Sequence, residues 1–241
     1  MSPDQKNSYK SSPLNQALVT IVGAGPAGLG MARVLGDLGI KQVRVVEREC
    51  IAASFHRWPH DMQFISPSFP GNTFGLVDLN AISYDSSPGY SLGIEHPSGR
   101  AYAEYLQQAA SFFDIKVDTG IDVAAITAEN GLLNLQTSHG SIVSNFVIWA
   151  GGHFQYPELN PFPGAGLGFH SSWVRRWQDY PGDHIYVIGG YESGIDAAIG
   201  LALSGKKVTV LSRNAPWLLE NEPDPSIALS PYTRQRLYAA R

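Results

Sequence analysis

The sequence holds a single cysteine, Cys50, among 241 residues, so it can form no internal disulfide, no Cys-x-x-Cys redox pair and no cysteine-built zinc site. That scarcity fits a reducing compartment, and the expected location is the cytoplasm. Long hydrophobic runs are also missing. The most apolar stretch, Ala17 to Ala32, is broken by Gly23, Gly25, Pro26, Gly28 and Gly30 and is too short to cross a bilayer. Residues 1–16 lack the apolar segment of a signal peptide, are rich in Ser, Asn and Pro, and are expected to form a flexible leader. No excess of positive charge is present: 17 Lys and Arg stand against 21 Asp and Glu, for a net charge of −4. Nucleic acid and membrane are therefore not expected partners, and a small-molecule substrate is.

Glycine and proline are plentiful, at 25 and 16 residues, and they punctuate a regular alternation of strand and helix patterns. ALVTIV at 17–22 is a β-rich run that stops at glycine, a helical pattern follows to Gly39, and VRVVE at 43–47 is a second strand. Such a βαβ unit requires its two strands to run parallel. Residues 50–99, rich in Pro, Ser, Gly and aromatics, are expected to line a ligand pocket. Tyr102, Tyr105, Leu106, Ala109 and Phe113 recur at three- and four-residue steps and predict a helix over 100–113. IKV at 115–117 reads as a strand. VAAITAE, LLNLQTS and SIVSN, separated by Asn130-Gly131 and His139-Gly140, predict an antiparallel meander. FVIWAGG at 146–152 predicts a fully buried strand ending beside a ligand. A Pro- and Gly-rich connection leads to a second βαβ unit, with strand and turn at 185–190, helix at 192–205 and strand at 207–213. The residues from Asn214 onward show no further clear unit.

Gly23-Ala24-Gly25-Pro26-Ala27-Gly28 matches the G-x-G-x-x-G pattern where that pattern carries meaning, after a strand and opening a helix. Gly23 permits the tight turn, Gly25 leaves room for a pyrophosphate against the backbone, and Gly28 lets helix and strand pack closely. The helix N-terminus then offers N–H groups and partial positive charge to phosphates. Glu47, 24 residues after Gly23 at the end of the second strand, can accept hydrogen bonds from ribose hydroxyls. The second turn, Gly189-Gly190-Tyr191-Glu192-Ser193-Gly194, keeps the outer glycines but carries Tyr191 in the middle position, which weakens binding there. Ser212-Arg213 stands where the first unit has Glu47, and a cation at that place suits a 2′-phosphate, favouring NADPH over NADH.

The two glycine turns, the meander closing at Ile148-Trp149-Ala150-Gly151-Gly152 and the order of the units resemble the two-dinucleotide flavoproteins, specifically the flavin-containing monooxygenase-like and bacillithiol-disulfide-reductase-like enzymes of the FAD/NAD(P)-binding pyridine nucleotide oxidoreductases. The resemblance runs from Leu18 to Arg213. Ser54-Phe55-His56-Arg57-Trp58-Pro59 with Gln63-Phe64-Ile65-Ser66 is similar to the flavin-contacting segment of the reductase type. Ile188-Gly189-Gly190 with Glu192 to Ala198 is similar to its NADPH turn. Phe162-Pro163-Gly164 with His170-Ser171 and Trp173 is similar to the monooxygenase fingerprint F-x-G-x-x-x-H-S, with the Gly-to-His spacing two residues longer.

The resemblance implies FAD on Gly23, Gly25, Pro26, Ala27, Gly28, Glu47 and Arg48, with Ser54, Trp58 and Val123 beside it and Ala150-Gly151 passing close. It implies NADPH on Gly189, Glu192, Ser193 and Arg213. The fold it implies is α/β: a Rossmann-like FAD-binding domain, made of a parallel sheet plus a three-stranded antiparallel meander, and a second, incomplete Rossmann-like NAD(P)-binding unit. The expected divisions are a leader at 1–16, an FAD domain at 17–152, a linker at 153–184 and a partial NADPH domain at 185–241. The implied reaction is reduction of FAD by NADPH, followed by monooxygenation of a small molecule or by reduction of a low-molecular-weight disulfide. A non-catalytic nucleotide-binding module and a dehydrogenase using only the first turn are the other readings.

Weaker candidates have plainer explanations. Pro59 prevents the helix that would align His56 with His60, so no metal is expected on His56, His60 and Asp61. Ser193 is not the central residue of G-x-S-x-G, which excludes a hydrolase elbow. Cys50 is expected to be a small core residue. His153, just past the glycine pair, is either a substrate-facing catalytic group or a surface residue. The chain continues only 28 residues past Arg213, without the third strand and returning Gly-Asp segment of the resembling enzymes. It is therefore expected to be a fragment, its terminal Arg241 consistent with trypsin-like cleavage or a premature end, and to form a homodimer or bind a partner supplying the missing segment.

Overall fold

A computed structural model describes residues 16–69, 78–219, 222, 224 and 226–240. The expected leader, apart from Gln16, lies outside the described residues, as do Pro223, Pro225 and Arg241. In chain order the regular elements are β1 (Gln16–Val22), α1 (Pro26–Asp37), β2 (Val43–Glu47), α2 (Ala53–His56), α3 (Pro88–Leu92), α4 (Gly99–Phe112), β3 (Val117–Thr119), β4 (Val123–Glu129), β5 (Leu132–Thr137), β6 (Gly140–Trp149), β7 (His184–Ile188), α5 (Glu192–Leu203), β8 (Lys207–Leu211) and α6 (Pro231–Ala239). The chain divides into two compact units. The first runs to Ala53 and resumes over Leu106–His153; the second comprises Ser54–Tyr105 and the chain from Phe154.

The first unit is built on a six-stranded sheet in the order β3-β2-β1-β6-β5-β4. β1 pairs in parallel with β2 on one side and β6 on the other, and β2 pairs in parallel with β3. β4, β5 and β6 form the antiparallel meander. A helix returns the chain between β1 and β2, which is why they run parallel. Asn130 at φ +52° and Gly131 at φ +76° adopt the left-handed conformation that a tight hairpin turn requires. Val22, Val46, Leu135 and Ile142 form an apolar cluster with Ile121, Val123 and Val147 packed against it. Thr20 is fully buried and donates to Ser144 Oγ at 3.1 Å, so this polar side chain of β1 is matched across the sheet.

The structure corrects one strand. SIVSN and FVIW are a single strand, β6, which pairs with β5 through its first half and with β1 along Val143–Trp149. Its end is not fully buried, because Phe146 and Trp149 are 61% and 63% exposed.

In the second unit, β7 and β8 form a parallel pair with α5 between them in sequence. Trp177, Ala197 and Leu201 pack with Ile185, Val187 and Val208 on one side, and Ile195, Ile199 and Leu229 pack with Val210 and Trp217 on another. The linker carries three short 3₁₀ turns, at Ala165–Leu167, Ser171–Trp173 and Trp177–Asp179. α6 is an element the sequence pattern does not announce by periodicity. Its start is nevertheless written locally: Ser230 accepts from Thr233 N at 3.2 Å as N-cap, and Pro231 takes the first helical position. Among the described residues no helix is long and apolar enough to cross a membrane.

Candidate functional site

β1 ends where its two parallel neighbours also end, and there the chain makes its first glycine turn. Gly23 N donates to Val46 O and Ala150 N donates to Val22 O, each at 2.8 Å, so the ends of β2, β1 and β6 are tied together. This is the carboxyl edge of a parallel sheet between strands whose connections run opposite ways, the place where open α/β sheets bind ligands. Gly23 has φ +108°, and a Cβ there would stand 2.4 Å from Ala150 O. A Cβ on Gly28 would stand 1.9 Å from Gly23 O. Both glycines are thus dictated by the protein's own backbone.

Gly25 is different. It is the N-cap of α1 at φ −84° and ψ −172°, an ordinary conformation with no side-chain cap, and a Cβ there would meet nothing within 4 Å. Among the described residues nothing demands glycine at this position, and the space in front of it is open to an anion at the helix N-terminus. Glu47, at the end of β2, accepts from Ala24 N at 2.8 Å through Oε2 and from Glu49 N at 3.0 Å through Oε1. Each carboxylate oxygen keeps a second lone pair for a further donor. These features fit a dinucleotide. Arg48 lies exposed beside this edge and pairs with Glu49 at 3.6 Å. Ala150 and Gly151 close the edge from β6, while Val123 is placed in the apolar cluster with Val22 and Leu135.

The second turn repeats the first. Gly189 has φ +110°, and a Cβ on Gly194 would stand 2.0 Å from Gly189 O. Tyr191 is the N-cap of α5 at φ −101° and ψ −167°, again with no side-chain cap, and so occupies the place of Gly25. Gly190 is required by packing, since a Cβ there would stand 2.5 Å from the Trp217 ring and 2.7 Å from Ser212. Ser193 and Arg213 are exposed. Glu192 holds α6: its Oε1 accepts from Ser230 N at 2.5 Å and its Oε2 from Thr233 Oγ1 at 2.5 Å.

A turn further along α5, buried Asp196 pairs with Arg236 of α6 at 2.5 Å. Burial pushes the Asp196 carboxyl above the usual carboxylate range, a shift opposed by the Arg236 guanidinium. Tyr232 of α6 stacks on His96, with ring centroids 3.5 Å apart, and donates to Gln63 Oε1.

The segment 54–105 gathers an aromatic cluster. Phe55 and Trp58 lie 5.1 Å apart, Trp58 and Phe64 5.1 Å, and Phe64 and Tyr102 4.5 Å between ring centroids. Gly99 is needed for the approach, because a Cβ there would stand 2.5 Å from Phe55 O. Burial raises the Tyr102 and Tyr105 hydroxyls above the usual phenol range, so both remain protonated donors. Ser54 is exposed on α2. One residue that pattern reading misses is Asp78. Only 1% exposed, it accepts from Ser68 Oγ, Ser87 Oγ, Asn80 N and Gly89 N at 2.8–3.1 Å and so ties these four residues together.

The remaining sequence candidates separate. Cys50 is exposed, which corrects the expectation of a core residue. His153 is exposed at the end of the first unit. His60 N donates to Arg175 O at 2.8 Å, and its Nδ1 accepts from Arg176 at 3.3 Å, so this histidine serves the linker. His170 caps the 3₁₀ turn that follows it, its Nδ1 accepting from Ser172 N at 3.2 Å.

A family model described as pyridine nucleotide-disulphide oxidoreductase matches residues 20–241. The chain is 28% identical over 211 residues to the bacilliredoxin reductase Bdr of Bacillus subtilis, a match covering 85% of this chain and 61% of that protein. It is 27% identical over 229 residues to an indole-3-pyruvate monooxygenase of Arabidopsis thaliana, covering 88% of this chain and 52% of the relative. The solved bacillithiol disulfide reductase of Staphylococcus aureus shares its fold, with a TM-score of 0.74 at 23% identity over 94% of this chain and 64% of the other. The chain thus spans 52–61% of the length of these curated relatives.

Proposed function

Because the chain belongs to the pyridine nucleotide-disulphide oxidoreductase family, whose model matches residues 20–241, we propose that it is an NADPH- and FAD-dependent oxidoreductase acting on a small molecule, with monooxygenase-like chemistry as the leading reading. The observation that carries it is the duplication of one glycine turn: Gly23 and Gly189 at φ +108° and +110°, with Gly28 and Gly194 pressed against the carbonyls of Gly23 and Gly189 respectively. When bound, FAD supplies hydride acceptance from a reduced nicotinamide and onward electron transfer to oxygen or to a disulfide.

The chain's own residues supply binding and orientation. Gly25 leaves the α1 N-terminus open to a pyrophosphate, with Pro26, Ala27 and Gly28 forming the first helical turn behind it. Glu47 offers its free lone pairs to ribose hydroxyls, and Ala24 N fixes the orientation of that carboxylate. At the second turn Gly189 and Ser193 would face the nicotinamide nucleotide, and Arg213 would take a 2′-phosphate through its fixed fork of donors. Glu192 holds α6 instead of facing outward alone. We assign residues 17–152 to flavin binding and 185–241 to part of the NADPH domain, in a protein of the cytoplasm.

The second reading, reduction of a low-molecular-weight disulfide, is favoured by the similarity to the bacilliredoxin reductase. One experiment separates the two. NADPH consumption coupled to oxygen uptake supports the monooxygenase reading; release of thiol from a disulfide under nitrogen supports the reductase reading. FAD-loaded chain that consumes no NADPH under either condition would instead support a non-catalytic nucleotide-binding module.

A further inference from the structure

Of the three glycines in the first turn, two are explained by the chain's own backbone and one, Gly25, is explained only by something outside it. Its φ and ψ suit any residue, and a Cβ there meets nothing within 4 Å. At the second turn the two structurally required glycines are kept, and Gly190 is required in addition by Trp217 and Ser212. Of the three glycine positions of the first turn, the outward one is the one not kept. There, on the same backbone conformation and at the same N-cap, stands Tyr191, 43% exposed.

We infer that Tyr191 is the specificity-determining residue of the second turn, setting how closely a nucleotide's pyrophosphate can approach the α5 N-terminus. The inference rests on the reading of that turn as the NADPH site. Tyr191 attaches a side chain at the N-cap position that Gly25 leaves bare in the first turn, so a dinucleotide approaching the backbone N–H groups there must displace that side chain or hold its phosphates further off. Either way part of the charge-assisted hydrogen bonding at the helix end is lost. The consequence is a weakened affinity confined to pyrophosphate-bearing ligands. Adenosine 2′-monophosphate, which has no pyrophosphate, would use the Arg213 end and not meet the ring.

The test is calorimetric titration of the full chain with NADPH and, separately, with adenosine 2′-monophosphate. Tyr191→Gly and Tyr191→Ser both remove the ring, and the serine variant keeps a good helix N-cap should glycine loosen α5. Both variants are expected to bind NADPH about tenfold or more tightly than the parent, equivalent to about 1.4 kcal/mol. Tyr191→Phe, which keeps the bulk, is expected to match the parent, and adenosine 2′-monophosphate affinity is expected not to change in any variant. Equal or weaker NADPH binding by the glycine and serine variants would overturn the role of Tyr191 while leaving the second turn as the nucleotide site. Absence of binding of both ligands to the parent and to all variants would overturn the nucleotide site and this inference with it.

Discussion

Gly25 and Gly28 sit three residues apart in one turn and answer to different partners. A Cβ on Gly28 would stand 1.9 Å from a backbone oxygen, which only a shift of helix against strand can relieve. Gly28→Ala is therefore expected to destabilise the chain by about 1–3 kcal/mol, read as a fall in melting temperature of about 2–4 °C per kcal/mol. Gly25→Ala meets open space and is expected to cost only about 0.5–1 kcal/mol, as a poorer N-cap of α1, yet to weaken FAD binding in a flavin-fluorescence titration. Equal melting temperatures for the two variants would contradict this division. Asp78 carries a second residue-scale prediction. Asp78→Ala leaves the four donors on Ser68, Asn80, Ser87 and Gly89 without this acceptor inside the protein and is expected to cost about 3–5 kcal/mol, measured by denaturant unfolding. Neither residue's part was equally readable: G-x-G-x-x-G names its glycines at fixed spacing, whereas the partners of Asp78 are joined only by folding.

Elements were legible where their limits are chemical. β2 and β4 match VRVVE and VAAITAE to the residue, because Glu47 ends one run and Asn130-Gly131 turns the chain after the other. β6 was not, since its first half reads as a hairpin arm and its second as a separate apolar strand. The missing turn residue between Asn145 and Phe146 was the signal that they are continuous. α6 was hidden for a different reason: its PYTRQRLYA sequence presents no apolar stripe, and it is held by hydrogen bonds and an ion pair to Glu192, Asp196 and Gln63, by the stacking of Tyr232 on His96, and by Leu237 against the Ile195 and Ile199 cluster.

That polar attachment predicts a pH dependence. Burial raises the Asp196 carboxyl, with Asp61 and Glu192 adding to the rise and Arg236 opposing it, so the folded state holds this proton more tightly than the unfolded one. The stability it contributes is complete below the ordinary carboxylate value of about 3.9 and is lost as pH rises through the folded value. Relative to Asp196→Asn, the parent's advantage in melting temperature is expected to shrink as the pH is raised above the ordinary carboxylate range. An advantage that grows instead would show that the Arg236 pair outweighs burial.

At the scale of the whole molecule, two βαβ turns of one design recur in a chain of 241 residues that belongs to a family of nucleotide-dependent oxidoreductases. Fold and glycine turns were readable because close backbone approach restricts residue type at fixed spacing, as at Gly28 against Gly23 and Gly194 against Gly189. The substrate was not, because no local spacing rule of this kind names the residues that select it. The central claim is that the two turns work on one flow of electrons. Its most direct test is the visible absorption spectrum of the purified, FAD-incubated protein, recorded without oxygen before and after NADPH is added. The account predicts a yellow protein whose flavin band bleaches on addition of NADPH. A colourless protein that takes up no FAD would contradict it.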